Sequence, residues 1–194
     1  MVNLTKIYTR TGDTGTTRLG SGDSVAKSDV RVEALGVVEE ANAVIGLVLT
    51  VPTSPMTRQQ LPMVQNDLFD LGADLCLPVV EADDRKPLRI TEAQVSRLED
   101  AIDEANAGLA DLRSFVLPGG ATAAAWLHLA RTVCRRAERR TWELVADVGP
   151  ENVNEQAPIY LNRLADLLFV LSRVENAAAG TADVLWHPGG GASS

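Results

Sequence analysis

Apolar residues recur at helical spacing in five stretches of the chain, which polar or glycine-rich segments separate. The clearest stretch, 56–76, alternates intervals of three and four residues, the pattern of a helix that packs one side into a bundle. Its apolar positions are Leu61, Val64, Leu68, Leu71 and Leu75. We expect Pro62, near the beginning of the stretch, to set where regular helix begins.

Four further helices follow from the same periodicity and from signals at their ends. Thr91 followed by Gln94 is a capping-box signature that opens one of them. Gly149-Pro150 and Gly180 each follow a periodic segment and predict where two helices end. The remaining predicted bounds are roughly 30–50, 121–146 and 155–179. Five helices with short connections predict an all-α fold, an antiparallel five-helix bundle.

The N-terminal residues 1–28 are polar and glycine-rich, and we expect loops or short strands there. A chain of 194 residues suits one domain with its own core. Because 45% of the residues are hydrophobic but only 4% are aromatic, that core must be mainly aliphatic. We expect a single domain over 1–180 and a flexible tail over 181–194.

The arginines are unevenly distributed for a protein whose net charge is −8. Five of them fall within 131–140, on the fourth predicted helix. A helical projection puts Arg131, Arg135 and Glu138 in a row among apolar residues, Ala124, Leu127, Trp142 and Val145. The opposite stripe is Trp126, Leu129, Val133, Ala137 and Leu144. Charges in apolar company are paired at an interface or hold an anion, and an ordinary salt-bridged surface is the alternative.

Charge and composition also exclude several classes of function. The acidic balance argues against a nucleic-acid surface, which needs a basic footprint. The local, arginine-only cluster suits a small phosphorylated ligand better. No apolar stretch approaches the ~18 residues of a membrane helix. Cys76 and Cys134 lie in apolar periodic segments and predict reduced core residues of a cytoplasmic protein.

A glycine-rich loop at residues 9–17 offers main-chain N–H groups, hydroxyls and a basic residue on each flank, which suit phosphates. It lacks the spacing of a Walker loop, and a Gly-Asp hairpin turn explains it equally well. Lys27 is a candidate phosphate contact, or simply a solvated lysine.

Three other features have two explanations each. Asn162 and Asp166 lie one helical turn apart beside a row of leucines. They either bind a ligand or form a structural hydrogen bond with each other. Phe115, before an apolar Pro-Gly-Gly loop, plugs the bundle end unless it contacts a ligand. A carboxylate-bridged dimetal site needs Glu-x-x-His on two helices, and neither His128 nor His187 follows a Glu by three. The sequence therefore names no metal ligand.

Five blocks occur in the order and spacing of the PduO-type ATP:corrinoid adenosyltransferases, and the chain resembles that family from Lys6 to about Asn176. The blocks are Lys6-Ile7-Tyr8-Thr9-Arg10-Thr11-Gly12-Asp13, Lys27-Ser28-Asp29 with Arg31-Val32-Glu33-Ala34, Phe115-Val116-Leu117-Pro118-Gly119-Gly120, Arg135-Arg136-Ala137-Glu138-Arg139 and Leu161-Asn162-Arg163-Leu164-Ala165-Asp166.

The resemblance implies transfer of the adenosyl group of ATP to cob(I)alamin, with Mg²⁺ as an expected counter-ion and no general base. It implies a homotrimer with active sites between subunits, and an adenosylcobalamin-dependent enzyme as a possible acceptor of the product. Phe115 would line the corrinoid pocket, and Arg135, Arg131 and Glu39 would form the catalytic group, the last two as an ion pair between subunits. The implied ATP contacts are Thr9, Arg10, Thr11, Gly12, Asp13, Gly15, Thr16, Thr17, Lys27, Arg135, Glu138, Arg139 and Asn162.

One departure concerns the acidic partner of that ion pair. The family usually has Val-Asp-Glu-Leu-Asn where this chain has Val38-Glu39-Glu40-Ala41-Asn42. The charge is kept, but the carboxylate of Glu39 lies one methylene further from the backbone. Two other classes of function remain at this stage: a carrier or sensor that binds ATP and cobalamin without turnover, and a purely structural helical domain.

Overall fold

The computed structural model describes residues 7–80 and 86–190, which form a two-stranded hairpin followed by five α-helices. The elements are β1 (Thr16–Arg18), β2 (Ser24–Ala26), α1 (Val30–Val48), α2 (Pro55–Leu75), α3 (Glu92–Asn106), α4 (Thr122–Val148) and α5 (Gln156–Ala178). The predicted all-α bundle is confirmed, and each helix lies close to its expected bounds. The hairpin is the one regular element that the N-terminal segment adds within the described residues.

Local signals place the helix ends. The Asp29 side chain accepts a hydrogen bond from the Arg31 N–H at 2.8 Å and caps α1. The capping box of Thr91 and Gln94 is present at the start of α3. α4 ends at Gly149, whose φ of +91° lies in the region that favours glycine.

Pro62 does not set the beginning of α2, and that expectation was wrong. The helix begins earlier because Ser54 caps it, accepting a hydrogen bond from the Thr57 N–H, and because Pro55 suits the first helical position. Pro62 lies inside the helix, where it lacks an N–H to donate. The Asn66 side chain donates to the Pro62 carbonyl at 2.8 Å.

Helix α4 lies at the centre of the packing, between α1 and α5, while α2 packs on α1 and α3 packs on α5. Its buried residues are Ala123, Ala124, Leu127, His128, Ala130, Val133, Cys134, Ala137, Thr141 and Leu144. Val133, Ala137 and Leu144 of the predicted stripe are buried as expected, whereas Leu129 is 43% exposed. Ala124 and Leu127, predicted on the opposite face, belong to the core, so the packed face is broader than the predicted stripe.

The C-terminal segment pairs with the bundle beyond residue 180, where the sequence predicts a flexible tail. The Leu117 N–H donates to the Val184 carbonyl at 2.8 Å, and the Trp186 N–H donates to the Phe115 carbonyl at 2.7 Å. Residues 183–186 are thus joined to the rest of the fold by hydrogen bonds, which satisfy main-chain groups of this segment. Residues 191–194 of the predicted tail lie outside the described residues.

Neither cysteine forms a disulfide. Cys134 is buried as predicted, whereas Cys76 is partly exposed and accepts a hydrogen bond from the Gly20 N–H at 3.0 Å. Over the described ranges, no helix is both long and apolar enough to cross a membrane.

Candidate active site

The arginines of α4 form two rows on opposite flanks of the buried stripe. The first, which we call the paired row, consists of Arg136 and Arg140. Arg136 forms an ion pair with Glu40 of α1. Arg140 lies 3.6 Å from a Glu33 carboxylate oxygen and 2.5 Å from one of Glu143. The contacts with Glu40 and Glu33 join α4 to α1 on the protein surface, whereas the contact with Glu143 lies within α4.

The second row, which we call the open row, consists of Arg131, Arg135 and Arg139. None of these guanidinium groups has a carboxylate within ion-pair distance among the described residues. The Arg131 Nε is buried and has no hydrogen-bond partner there. Burial, followed by the neighbouring Arg135 charge, lowers the pKa of Arg131. Buried donors are normally satisfied, so Arg131 is equipped to receive an acceptor from outside the chain, while Arg135 and Arg139 are exposed beside it.

The open row faces the α5 side of the bundle. The buried Cys134 thiol donates to the Leu161 carbonyl of α5 at 3.2 Å. Burial raises the pKa of Cys134. The nearby charges of Glu138 and Asp166 raise it further, and the nearby charge of Arg135 lowers it. Asn162 follows Leu161 and is exposed; no hydrogen bond joins it to Asp166 in the described residues, so the structural explanation of that pair lacks support.

Phe115 and Arg131 line one cavity of about 480 Å³, which α4 and α5 border. Its other lining residues are Leu112, Arg113, Ser114, Val116 and Phe169. Phe115 is 76% exposed, so it does not plug the bundle end. The ring of Trp186 lies 6.0 Å from the Phe115 ring, centroid to centroid. The structure thus presents an apolar aromatic surface beside an arginine for which residues 7–80 and 86–190 supply no carboxylate partner.

The glycine-rich loop and Lys27 come together at the N-terminal hairpin. A Cβ built on Gly12 would lie 3.2 Å from the Lys27 Cε and 3.3 Å from its Nζ. The Lys27 N–H donates to the Gly15 carbonyl at 2.9 Å. The hairpin turn lies further along, where the Leu19 N–H donates to the Asp23 carbonyl, so Gly12-Asp13 is not that turn.

Most of the other loop residues that are expected to contact ATP are exposed. The hydroxyls of Thr9 and Thr11 share a hydrogen bond of 2.8 Å, and Arg10 adopts a positive φ of 63°. Thr16 and Thr17 open β1 and are half-buried, whereas residues 9–11 are exposed. Lys6, which begins the first sequence block, lies outside the described residues. An exposed glycine-rich loop of this kind can present main-chain N–H groups to an anion.

In the described residues no element contact joins the hairpin to the helix that carries the open row. The Gly20 contact with Cys76 docks the hairpin at the end of α2, and the two strands pack only on each other there. Glu39 is exposed and lines a groove of about 610 Å³ between α1 and α2, together with the exposed Phe69. In this chain no ion pair joins Glu39 to Arg131. The candidate residues therefore form two groups that one subunit does not bring together.

Comparison with known proteins decides the family. The family model described as cobalamin adenosyltransferase matches residues 7–175. The chain belongs to this family. A corrinoid adenosyltransferase of Mycobacterium tuberculosis is 53% identical over 191 residues, covering 97% of this chain and 96% of the relative. A cobalamin adenosyltransferase of Cupriavidus metallidurans is 50% identical over 185 residues, covering 95% of each.

Solved structures of the family share the fold. A PduO-type ATP:corrinoid adenosyltransferase from Lactobacillus reuteri, a variant with a phenylalanine replaced by histidine, is complexed with cobalamin and ATP. It is 34% identical to this chain, with a TM-score of 0.85 and coverage of 94% of this chain and 97% of that one. A variant with an arginine replaced by lysine, complexed with ATP, has a TM-score of 0.81 at 33% identity and covers 93% and 100%.

For this adenosyltransferase-family chain, sequence reasoning missed the supports of the Phe115 loop. Asp183 accepts hydrogen bonds from Arg173 and Asn176, and Trp186 packs on Phe115. No periodic signal marks residues 181–186, whose short polar and apolar mixture looks like a terminal tail. The one available hint was the pair of bulky residues, Leu185 and Trp186, in an otherwise small-residue terminus.

Proposed function

We propose that this chain transfers the 5′-deoxyadenosyl group of ATP to cob(I)alamin, which yields adenosylcobalamin and inorganic triphosphate. Membership of the family carries the type of reaction. Among structural observations, the open row carries the proposal: three arginines with no carboxylate partner in the described residues, one of which shares a cavity with the exposed ring of Phe115. Such a site suits a polyanion placed next to a large apolar ring system.

The reaction needs positioning and charge neutralisation rather than a protein nucleophile. The electron pair of Co(I) forms a bond to C5′ of ATP, and the C5′–O5′ bond breaks. The bonding pair leaves on the triphosphate oxygen, so cobalt is formally oxidised to Co(III) and no proton has to move. The enzyme must align cobalt with C5′ and stabilise the charge that develops on the leaving group.

Each group of candidate residues suits one of these tasks. Lys27 and the main-chain N–H groups of the 9–17 loop would hold the triphosphate, with Arg135 and Arg139 facing the same polyanion. Glu138 and Asn162 offer an acceptor and an amide to the nucleoside. Phe115 would cover the lower face of the corrinoid and keep a base or water away from cobalt, which favours four-coordinate cobalt that is easier to reduce.

Magnesium enters this proposal as a companion of the nucleotide. In the described residues no group of three or more His, Cys, Asp or Glu side chains is placed to hold a metal ion. That fits a cation bound mainly through substrate phosphates, because Mg²⁺ usually keeps several waters and takes only one or two protein carboxylates. No step of the proposed reaction depends on a protein-held cation.

The separation of the two groups supports a site shared between subunits of a homotrimer. The loop, Lys27 and Glu39 of one subunit would meet the open row of the next, so that Glu39 and Arg131 pair across the interface. Light scattering should give about three times the 20.7 kDa chain mass, and a mass of one chain would contradict this arrangement. We place the reaction in the cytoplasm, with an adenosylcobalamin-dependent enzyme as a possible acceptor.

An anaerobic assay tests the reaction directly. ATP and chemically reduced cobalamin are mixed with the protein, and the visible spectrum reports a Co–carbon bond. We expect adenosylcobalamin and triphosphate in equal amounts. Binding of both substrates without a Co–carbon bond would identify a carrier instead, and release of ADP or phosphate in step with turnover would contradict the leaving group.

A further inference from the structure

The loop that carries Phe115 is held by backbone contacts and not by burial of its side chain. The middle of the loop forms an antiparallel bridge with residues 184–186. The Trp186 N–H donates to the Phe115 carbonyl at 2.7 Å, and the Leu117 N–H donates to the Val184 carbonyl at 2.8 Å. Whatever fixes the C-terminal segment therefore also fixes the direction of the Phe115 ring.

One carboxylate anchors that segment to the bundle. Asp183 immediately precedes the bridge, and its Oδ2 accepts a hydrogen bond from the Arg173 Nε at 2.9 Å. Its Oδ1 accepts a second one from the Asn176 Nδ2, also at 2.9 Å. The side chains of Arg173 and Asp183 are 7% and 17% exposed, so water screens this ion pair only weakly.

The same two α5 side chains hold both ends of the Phe115 loop. The Arg173 Nη2 donates to the Ala110 carbonyl at 2.6 Å, where the loop begins. The Ala121 N–H donates to the Asn176 Oδ1 at 2.9 Å, where the loop ends. A Cβ on Gly120 would lie 2.1 Å from that oxygen, so only glycine leaves room for the contact. Three segments of chain therefore converge on Arg173, Asn176 and Asp183.

We propose that Asp183 is a positioning residue for Phe115 in the corrinoid half of the reaction, acting through Arg173 and Asn176. The inference rests on the proposed function, in which Phe115 lies beneath the corrinoid. Without Asp183, the buried Arg173 charge loses its carboxylate and the bridge loses its anchor on α5. Because a misplacement of about 1 Å can cost about 10²-fold in rate, we expect a loss of about that size in kcat.

The test compares Asp183→Ala with Asp111→Ala, which removes an exposed carboxylate from the same loop. For Asp183→Ala we expect kcat to fall about 10²-fold, while the Kd for ATP measured by calorimetry stays the same. The spectrum of bound cob(II)alamin should show a smaller four-coordinate fraction. Hydrogen exchange should accelerate at the amides of Leu117 and Trp186. Asp183→Asn, which keeps an acceptor for Asn176 but not the charge, should give an intermediate result.

Two outcomes would overturn the inference while leaving the proposed function intact. Unchanged exchange at Leu117 and Trp186 would show that Asp183 does not anchor the bridge. Faster exchange with an unchanged kcat and cobalt spectrum would show that the anchor does not position Phe115. If Asp183→Ala fails to fold, Asp183→Asn, which keeps the acceptor for Asn176 and removes the charge opposite Arg173, is measured with the same readouts and decides. A wild-type protein that forms no Co–carbon bond would instead contradict the proposed function.

Discussion

The paired and open rows of α4 are built from the same residue type on one helix, and they differ in what faces them. Arg136 and Arg140 meet carboxylates of α1 within the subunit. Arg131, Arg135 and Arg139 meet none in the described part of the chain. The clustering of arginine is thus not one feature but two, and the absence of a protein anion distinguishes the second row.

The exposure of the groups shows why the two rows should differ in energy as well. The Arg136 and Glu40 side chains are about half exposed, and such surface pairs contribute about 0–1 kcal/mol to stability. The Arg131 Nε is buried without a partner, which disfavours the isolated subunit until an acceptor arrives. The paired row is therefore a modest link between helices, whereas under the proposed function the open row would be completed by ATP or a second subunit.

The largest effect that separates the rows should come from Arg131. If Glu39 of a neighbouring subunit pairs with it, either Arg131→Ala or Glu39→Ala leaves the other charge without a partner, at a cost of ~3–5 kcal/mol when the pair is well buried. We expect both single variants to weaken assembly or ATP binding, measured by light scattering and calorimetry.

The double variant sharpens this prediction, because it should lose less than the sum of the single losses. Arg58→Ala is the control, since an exposed surface arginine of this kind usually changes stability by no more than about 0.5 kcal/mol. Strict additivity in the cycle would mean that Glu39 and Arg131 do not interact, and the interface contact would have to be abandoned.

Neighbouring arginines offer the next comparison, Arg135→Ala against Arg136→Ala. Loss of Arg135 should lower kcat by about 10²–10³-fold, the usual cost of removing one preorganised donor from a developing negative charge. Loss of Arg136 should leave kcat unchanged and change the free energy of unfolding by less than about 1 kcal/mol. Steady-state assays and urea titrations of both proteins measure this. Equal losses of kcat would abolish the distinction between the rows.

Phe115→Ala should break the corrinoid half of the site and spare the nucleotide half. We expect turnover to fall about 10²-fold while the Kd for ATP changes little, because a group that acts only on the reacting centre affects kcat. Leu88→Ala, which removes another exposed apolar side chain, is the control. Equal changes in turnover and ATP affinity would reduce Phe115 to a packing role.

We expect the smallest effect, a change in the pH dependence of stability, from replacing His128, which lies about one helical turn before Arg131. It is buried without hydrogen-bond partners in the described residues, and burial followed by the Arg131 charge lowers its pKa. A depressed folded pKa means that its contribution to stability is complete above the unfolded value of about 6.5 and is lost as the pH falls below it. His128→Gln should therefore flatten the decrease in unfolding free energy between pH 7.5 and acidic pH, whereas a change at the exposed His187, such as His187→Gln, should not. Parallel curves for all three proteins would contradict the pKa shift.

Periodicity and capping signals predicted the fold, because each helix of this bundle has its own boundaries in the sequence. The projection of α4 failed at Leu129 and Leu127 because small residues such as Ala130 and Cys134 also line the packed face, which a pattern of large apolar residues does not mark. The C-terminal segment escaped prediction for a different reason. Its hydrogen bonds with residues 115–117 join positions far apart in sequence, and no local pattern records them.

The candidate residues were found by resemblance, and the structure adds how they are divided. Nothing local in the sequence separates Arg135 from Arg136, because the difference depends on whether a carboxylate of α1 lies opposite. The proximity of Gly12 to Lys27 likewise appears only when β1 and β2 pair. The central claim of the proposed function is that the hairpin of one subunit and the open row of another form one site.

Mixed trimers test that claim most directly. Lys27→Ala and Arg135→Ala should each be nearly inactive, and equal amounts of the two are unfolded, mixed and refolded together. If each site takes its loop from one subunit and its arginines from the next, we predict recovery to about a quarter of the wild-type rate, since each half is intact in half of the cases. Arg135→Ala mixed with Arg139→Ala, both from the open row, should recover nothing. A Lys27→Ala and Arg135→Ala mixture no more active than its separate components would show that the two faces do not form one site.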